Sequence, residues 1–346
     1  MHPSRNPKKY PTISVVMPTL NAAKNLDQSL ASIKKQDYPK NLVEIIIPDG
    51  GSCDQTLKIA RKYKAKILLN KLKTTEGGTS IGIRAARGEL VLLMDSDNIL
   101  PETKWLLKMT KPFRDDSEIT GAEPLYYQSR KSDSYINRYC ALIGANDPVC
   151  MFLGNHDRYN YLTRQWTGID LKQEKKEGFI KLQATNKLFP TIGANGFLAR
   201  KKDIRKYADQ DYFFDIDVSY NMAVNEGKTF AKVNVGIYHL YASELKTFCK
   251  KQKRRVLDFL YFKGGKHKRI YPWDHQQNIY KIIKFSLYSF FILPAFLQSL
   301  LGYSRKQDRA WFFHPLACWL TLVIYGYYTV RAKILNERRI MSRENW

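Results

Sequence analysis

Along the first hundred residues, short apolar runs alternate with polar turns at the spacing of a layered α/β domain. Ile13–Met17 is a β-branched run that stops at Pro18. A helical pattern follows from about Leu26 to Ile33, and Tyr38-Pro39 ends it. Val43–Ile47 predicts a second strand, closed by Pro48-Asp49-Gly50-Gly51, after which Ser52 and Asp54 cap a helix over Thr56–Lys64. A weaker strand over Ala65–Leu69, a helix over Gly77–Ala86 and a strand from Leu90 complete the series. Strands and helices alternating at these lengths predict βαβ units and a parallel, right-handed sheet. The run Leu90-Val91-Leu92-Leu93-Met94 is apolar at every position, the mark of a strand covered on both faces.

Ligands of such sheets sit just beyond the carboxyl ends of the strands. Here those ends carry Thr19 and Asn21, then Asp49 and Asp54, then Asp95-Ser96-Asp97. Carboxylates so placed suit a hard divalent cation and phosphate oxygens; taken singly, each would also serve as a turn former or cap. Neither a dinucleotide G-x-G-x-x-G nor a Walker loop is present. Further on, Gly193-Ala194-Asn195-Gly196 predicts a loop where backbone approaches a ligand closely. Asp215 and Asp217 follow among apolar neighbours, where burial raises a carboxylate towards what a general base needs. A helix is predicted over Val218–Asn225 and a strand over Ala231–Tyr238, with His239 at its end. Residues 111–190 are less regular: Lys172–Lys181 reads as an exposed loop or hairpin, and Ser132–Trp166 is rich in aromatics, Asn and Asp.

Composition adds two constraints. With 57 Lys and Arg against 32 Asp and Glu, the net charge is +25, which implies an anionic partner: nucleic acid, a membrane surface or a phosphorylated ligand. Five scattered cysteines without a C-x-x-C pair argue against a disulfide framework or a zinc site and suit a reducing compartment. Residues Met1–Pro11 lack the apolar core of a signal peptide, so the chain is expected to start in the cytoplasm.

The last hundred residues change the picture. Lys246–Arg269 interleaves cations with aromatics, as segments beside anionic lipid do. Phe285–Tyr303 and Ala310–Val330 are uncharged and each about long enough to cross a hydrocarbon core, with Ser304–Arg309 between them. They predict a membrane-spanning hairpin with both ends cytoplasmic. A re-entrant or interfacial pair and an ordinary buried helical core are the alternatives.

Pro18-Thr19-Leu20-Asn21, Asp49-Gly50-Gly51-Ser52-Cys53-Asp54-Gln55-Thr56, Ala86-Arg87-Gly88 and Asp95-Ser96-Asp97 together resemble the family 2 glycosyltransferases of GT-A fold, in order and in spacing. The resemblance covers roughly residues 12–245. It implies a Rossmann-like mixed sheet with helices on both faces, a UDP- or GDP-linked sugar donor, a divalent metal (Mn2+ or Mg2+) and inverting transfer. By the same resemblance Pro18, Thr19, Asn21, Asp49, Asp95 and Ser96 would bind the donor and Asp97 would ligate the metal. Gly193, Ala194 and Asn195 would form the acceptor loop, and His239 would complete the metal site or contact the diphosphate. The family's Glu-Asp pair falls on Ile216-Asp217, which makes Asp217 the base, with Asp215 as the other candidate. Gln252-Lys253-Arg254-Arg255-Val256 resembles the Gln-x-x-Arg-Trp motif of polysaccharide synthases with Val for Trp, against a processive synthase; Arg255 would reach a phosphate.

The expected organisation is therefore a basic N-terminus (1–11), a catalytic domain (12–245), a basic juxtamembrane segment (246–280), a membrane-associated helical hairpin (281–334) and a basic tail (335–346). The expected partners are a nucleotide-sugar, a lipid-linked or glycan acceptor and an anionic membrane, with the catalytic domain on the cytoplasmic face and no nucleic acid. A basic nucleic-acid-binding protein would account for the charge but for neither the acid-bearing strand ends nor the apolar tail. An inactive membrane adaptor on a transferase fold would account for the missing Glu at Ile216.

Overall fold

The computed structural model describes residues 10–264, 269–273 and 279–333. The predicted alternation is present: β1 (Ile13–Val16), α1 (Ala23–Lys34), β2 (Val43–Asp49), α2 (Thr56–Lys62), β3 (Lys66–Leu69), α3 (Thr75–Ala85) and β4 (Leu90–Leu93). A short β5 (Asn98–Ile99), α4 (Trp105–Asp115) and β6 (Ile119–Gln128) follow, then α5 (Tyr135–Ile143) and α6 (Pro148–Leu153). The chain continues through β7 (Leu171–Lys176), β8 (Phe179–Ala184), β9 (Phe197–Arg200), α7 (Lys201–Ile204), α8 (Asp215–Tyr220) and β10 (Thr229–His239). It finishes with α9 (Leu245–Gly264), α10 (Ile279–Phe291), α11 (Leu293–Arg305) and α12 (His314–Lys333).

The sheet runs β3-β2-β1-β4-β9-β6-β10-β8-β7. Its first four strands are parallel, as the βαβ pattern predicts. The rest makes the sheet mixed, as the resemblance implies: β9 lies antiparallel to β4, with Phe197 opposite Leu93, and β7–β8 is an antiparallel hairpin. The physical reason is local. No crossover helix separates β9 from the glycine loop before it, and Gly196 N–H donates to Leu93 O at 2.9 Å, which turns the chain straight back along β4. All four β4 side chains are buried, as their uninterrupted apolar character requires. The Ala86-Arg87-Gly88 motif is structural: a Cβ on Gly88 would lie 2.6 Å from Ser14 N, and Gly88 N–H donates to Ser14 Oγ at 2.8 Å.

The chain forms two compact units. The first comprises the described residues to Leu125 together with Asp170–Tyr238, and the second comprises Tyr126–Ile169 together with the described residues from His239 onward. This differs from the expected continuous domain over 12–245. The aromatic stretch before Trp166 supplies a core: Ile136, Tyr139, Leu142, Ile143 and Leu162 form one apolar cluster with Phe248, Trp311, Phe313 and Ala317. Within that core His314, buried, accepts from Tyr139 Oη at Nδ1 (2.7 Å) and donates from Nε2 to Gln298 Oε1 (3.0 Å).

Among the described residues no single helix is long and apolar enough to cross a membrane, while α10 and α11 pass that test together but are bent by 94°. The break lies at Ile292, a non-glycine residue at φ 60°, followed at once by Leu293-Pro294 in the first turn of α11, where a proline is accommodated. The expected basic tail over 335–346 lies outside the described residues, as does the N-terminus before Tyr10.

Candidate active site

The loops after β1 and β2 are knitted into one unit. Asp49 is 3% exposed, and its carboxylate accepts from Thr19 Oγ1 (2.9 Å), Ser52 Oγ (2.6 Å), Ser52 N (2.7 Å) and Gly51 N (2.9 Å). Burial alone would raise this carboxyl; the donors from Ser52, Thr19 and Gly51 outweigh it and hold it below the ordinary carboxylate value. Four donors fill the usual capacity of a carboxylate, so in this structure Asp49 organises the loops rather than presenting a bare acid. Asn21, at φ 50°, accepts from Cys53 N through Oδ1 (3.0 Å), and its N–H donates to Ser52 Oγ (2.8 Å). Asp54 receives Ala23 N and Thr56 N, the capping role its position suggests.

The turn after β4 is held by Asn98. Its Oδ1 accepts from Asp95 N at 3.1 Å, and its Nδ2 lies 3.0 Å from Asn195 Oδ1 and 3.4 Å from Asp97 Oδ1. One fully buried amide thus joins the Asp95-Ser96-Asp97 turn to the glycine loop. Glu123 fixes the other end of that loop, accepting from Gly193 N at 3.1 Å while pairing with the equally buried Lys232 at 2.7 Å. Gly193 has φ 147°, and a Cβ there would lie 2.6 Å from the carbonyl carbon of Asp215. Only glycine lets the loop run against the start of α8.

These elements enclose a cavity of about 80 Å³ lined by Pro18, Glu76, Asp95, Ala194, Asn195 and Asp215, among others. Asp215 lines it; Asp217, 3% exposed, does not. The predicted helix over Val218–Asn225 in fact begins at Asp215, so Asp215 opens it beside Gly193 and Asp217 turns inward. Glu76 was not among the sequence candidates. It lies in the first turn of α3, one position before the Gly77 at which the pattern started the helix, and Thr74 caps that helix by accepting from Gly77 N. An acid in a helix first turn after a strand was the available signal.

His239 and Arg255 belong to the second unit. His239 Nδ1 is 3.3 Å from Asn146 Nδ2, and its ring packs beside Tyr127 and Tyr241. Arg255 has protein partners: Asn146 O (3.3 Å), Gln252 Oε1 (3.2 Å) and Asp147 Oδ2 (3.5 Å), the last also receiving Tyr325 Oη at 2.5 Å. Among the described residues no group of three His, Cys, Asp or Glu side chains is placed to hold a metal. The Asp95–Asp97 turn offers oxygen ligands only, a set that fits a cation sharing its coordination with substrate phosphates.

Residues 14–207 match the family model described as glycosyl transferase family 2. The chain belongs to that family. Poly(ribitol-phosphate) beta-N-acetylglucosaminyltransferase TarS of Staphylococcus aureus is 38% identical over 109 residues, 30% of this chain and 19% of TarS. Human dolichyl-phosphate beta-glucosyltransferase is 36% identical over 99 residues, 25% of this chain and 31% of that protein. The matches thus span less than a third of these relatives' lengths. Among solved structures, the mannosyltransferase PcManGT from Pyrobaculum calidifontis, in complex with GDP-Man and Mn2+, is 14% identical with a TM-score of 0.51, covering 94% of this chain and 89% of that one. At that identity the likeness concerns the fold, the GT-A glycosyltransferase fold of a mixed α/β sheet.

Proposed function

We propose that the first unit transfers a sugar, with inversion, from a nucleotide-sugar to an acceptor hydroxyl, and that Asp215 rather than Asp217 is the base. The observation that carries this reading is that Asp95, Asn195 and Asp215 line one cavity beyond the end of β4. The cavity would take the sugar end of a donor, with the nucleotide lying toward the Thr19, Asn21 and Ser52 loops. Asp215 takes the proton of the acceptor hydroxyl, whose oxygen forms the new bond to the anomeric carbon. The bond from that carbon to the diphosphate oxygen breaks, and the nucleoside diphosphate leaves with the electron pair. Asn98 holds Asp95 and Asn195 in register while this occurs. A divalent cation held by Asp97 beside Asp95 would offset the charge growing on the leaving diphosphate; the Mn2+ that accompanies GDP-Man in the PcManGT complex supports that choice. His239 is tested separately: metal dependence unchanged in His239→Ala would remove it from the metal's ligands.

The acceptor we favour is an anionic, lipid-linked or polymeric glycan. The excess of cations and the acceptor classes named for TarS and the human relative support it. We further place the protein at the cytoplasmic face of a membrane, held there by its C-terminal helices. The test is transfer from UDP- and GDP-sugars by Asp215→Asn and Asp217→Asn, with donor binding followed by calorimetry. Asp215→Asn should lose at least a hundredfold in transfer and still bind donor. Near wild-type transfer by Asp215→Asn would overturn the assignment.

A further inference from the structure

Helices α10 and α11 are inside-out. Their buried positions include the small Ser289, Ala295, Ser299 and Gly302, and a Cβ on Gly302 would lie 2.5 Å from the Trp311 ring. Phe285 is buried, but most of their other large residues face outward: Phe290 is 69% exposed, Phe291 63% and Leu293 62%, with Leu287, Phe296 and Leu297 also exposed. Small residues at helix contacts and large apolar ones outside are the arrangement of helices packed in lipid. A patch of this extent in water marks an interaction surface. Within Phe285–Ser304 there is no charged residue, whereas Lys284, Arg305, Lys306 and Arg309 lie just outside it. Over 279–333 the sole acid is Asp308, which pairs with Arg138 at 2.5 Å. The cations therefore sit away from the break, Lys284 midway along α10 and Arg305 and Lys306 at the end of α11, with the apolar residues around the break, a distribution complementary to anionic head groups above an acyl layer.

We infer that α10 and α11 enter one leaflet of an anionic bilayer as a wedge, tip first at Ile292, without crossing it. Each arm has 13 residues, or about 20 Å of helix. A bend of 94° leaves the arms meeting at nearly a right angle; with Lys284, midway along α10, kept at the head groups, the uncharged part of the wedge reaches roughly 8 Å deep, about half of the ~15 Å of one leaflet's hydrocarbon. A straight crossing would need about 20 continuous helical residues, which the break at Ile292 denies. Helix α12, packed against α10 and α11, also leaves Leu316, Trp319, Val323 and Tyr327 exposed. This inference rests on the membrane association proposed above and specifies its mode.

The experiment is flotation of the full chain with vesicles of phosphatidylcholine, alone or with phosphatidylglycerol. Binding should require the anionic lipid and fall roughly fivefold for each of Lys284→Gln and Lys306→Gln. The double variant Phe290→Glu/Leu297→Glu should stop floating while its sugar transfer in detergent persists. Because both positions are exposed, its urea unfolding should match wild type, and Phe290→Ser/Leu297→Ser provides an uncharged check. A spin label on Phe291→Cys in a Cys53→Ser background should be hidden from a nickel chelate on either side of the membrane. Quenching from the vesicle lumen would show a spanning pair and overturn the inference, as would a soluble dimer that ignores vesicles. Loss of transfer with docking intact would count against the proposed function alone.

Discussion

Asn98 shows how one buried amide can set the geometry of two loops. It is fully buried and bonded to Asp95 and Asn195, so Asn98→Ala removes both links and leaves polar groups unsatisfied. The expected cost is about 1–3 kcal/mol by urea unfolding, with kcat lowered at least tenfold because the two sides of the cavity lose register. Lys232→Met is the stronger structural lesion: it strands the buried Glu123 carboxylate and should cost about 3–5 kcal/mol. The acids at the strand ends were legible in the sequence; their division of labour was not. Asp49 closes β2 and Asp95 follows β4, yet Asp49 is consumed by four local donors while Asp95 lines the cavity. Asp215 and Asp217 are two residues apart, and only where α8 begins decides which faces the cavity. Such choices depend on long-range packing, which a local pattern does not contain.

At the level of elements, the βαβ series was readable because period and turn chemistry agree, whereas β9 was not read as a reversing strand. Gly193→Ala tests how the glycine loop before β9 packs against α8. The added Cβ, 2.6 Å from backbone of Asp215, should push α8 from the cavity and abolish transfer while the circular dichroism of the chain is retained. The apolar runs near the C-terminus were legible as apolar, but not the break at Ile292 that divides one of them. In the same region burial holds His314 down to about 4. Its folded value lies below its unfolded one, so its contribution to stability is full above about pH 6.5 and is lost as the pH falls toward 4. A decline on the order of 3 kcal/mol is expected over that window. His314→Gln should flatten the dependence of urea midpoint on pH there.

For the molecule as a whole, charge and length were read directly, but the division into units was not. A contiguous catalytic domain was expected over 12–245, whereas Tyr126–Ile169 folds with the C-terminal helices. The reason is that α5 and α6 carry apolar faces whose partners, Trp311 and Phe313, lie some 170 residues later in the chain. No local pattern announces that pairing. Transfer to an anionic acceptor should weaken steeply with salt if the excess of cations steers it, while a neutral acceptor analogue should show little change. KM measured at two ionic strengths separates the two cases.

The late arrival of those partners has a consequence for synthesis. When residue 245 emerges from the ribosome, the first unit has all of its strands, but α5 and α6 still present Ile136, Tyr139 and Ile143 with nothing from beyond that point to cover them. A chain stopped there, at the boundary the sequence suggests, should be captured by chaperones or precipitate rather than yield a free catalytic domain. Co-expression of residues 246–346 as a separate polypeptide should rescue its solubility in trans.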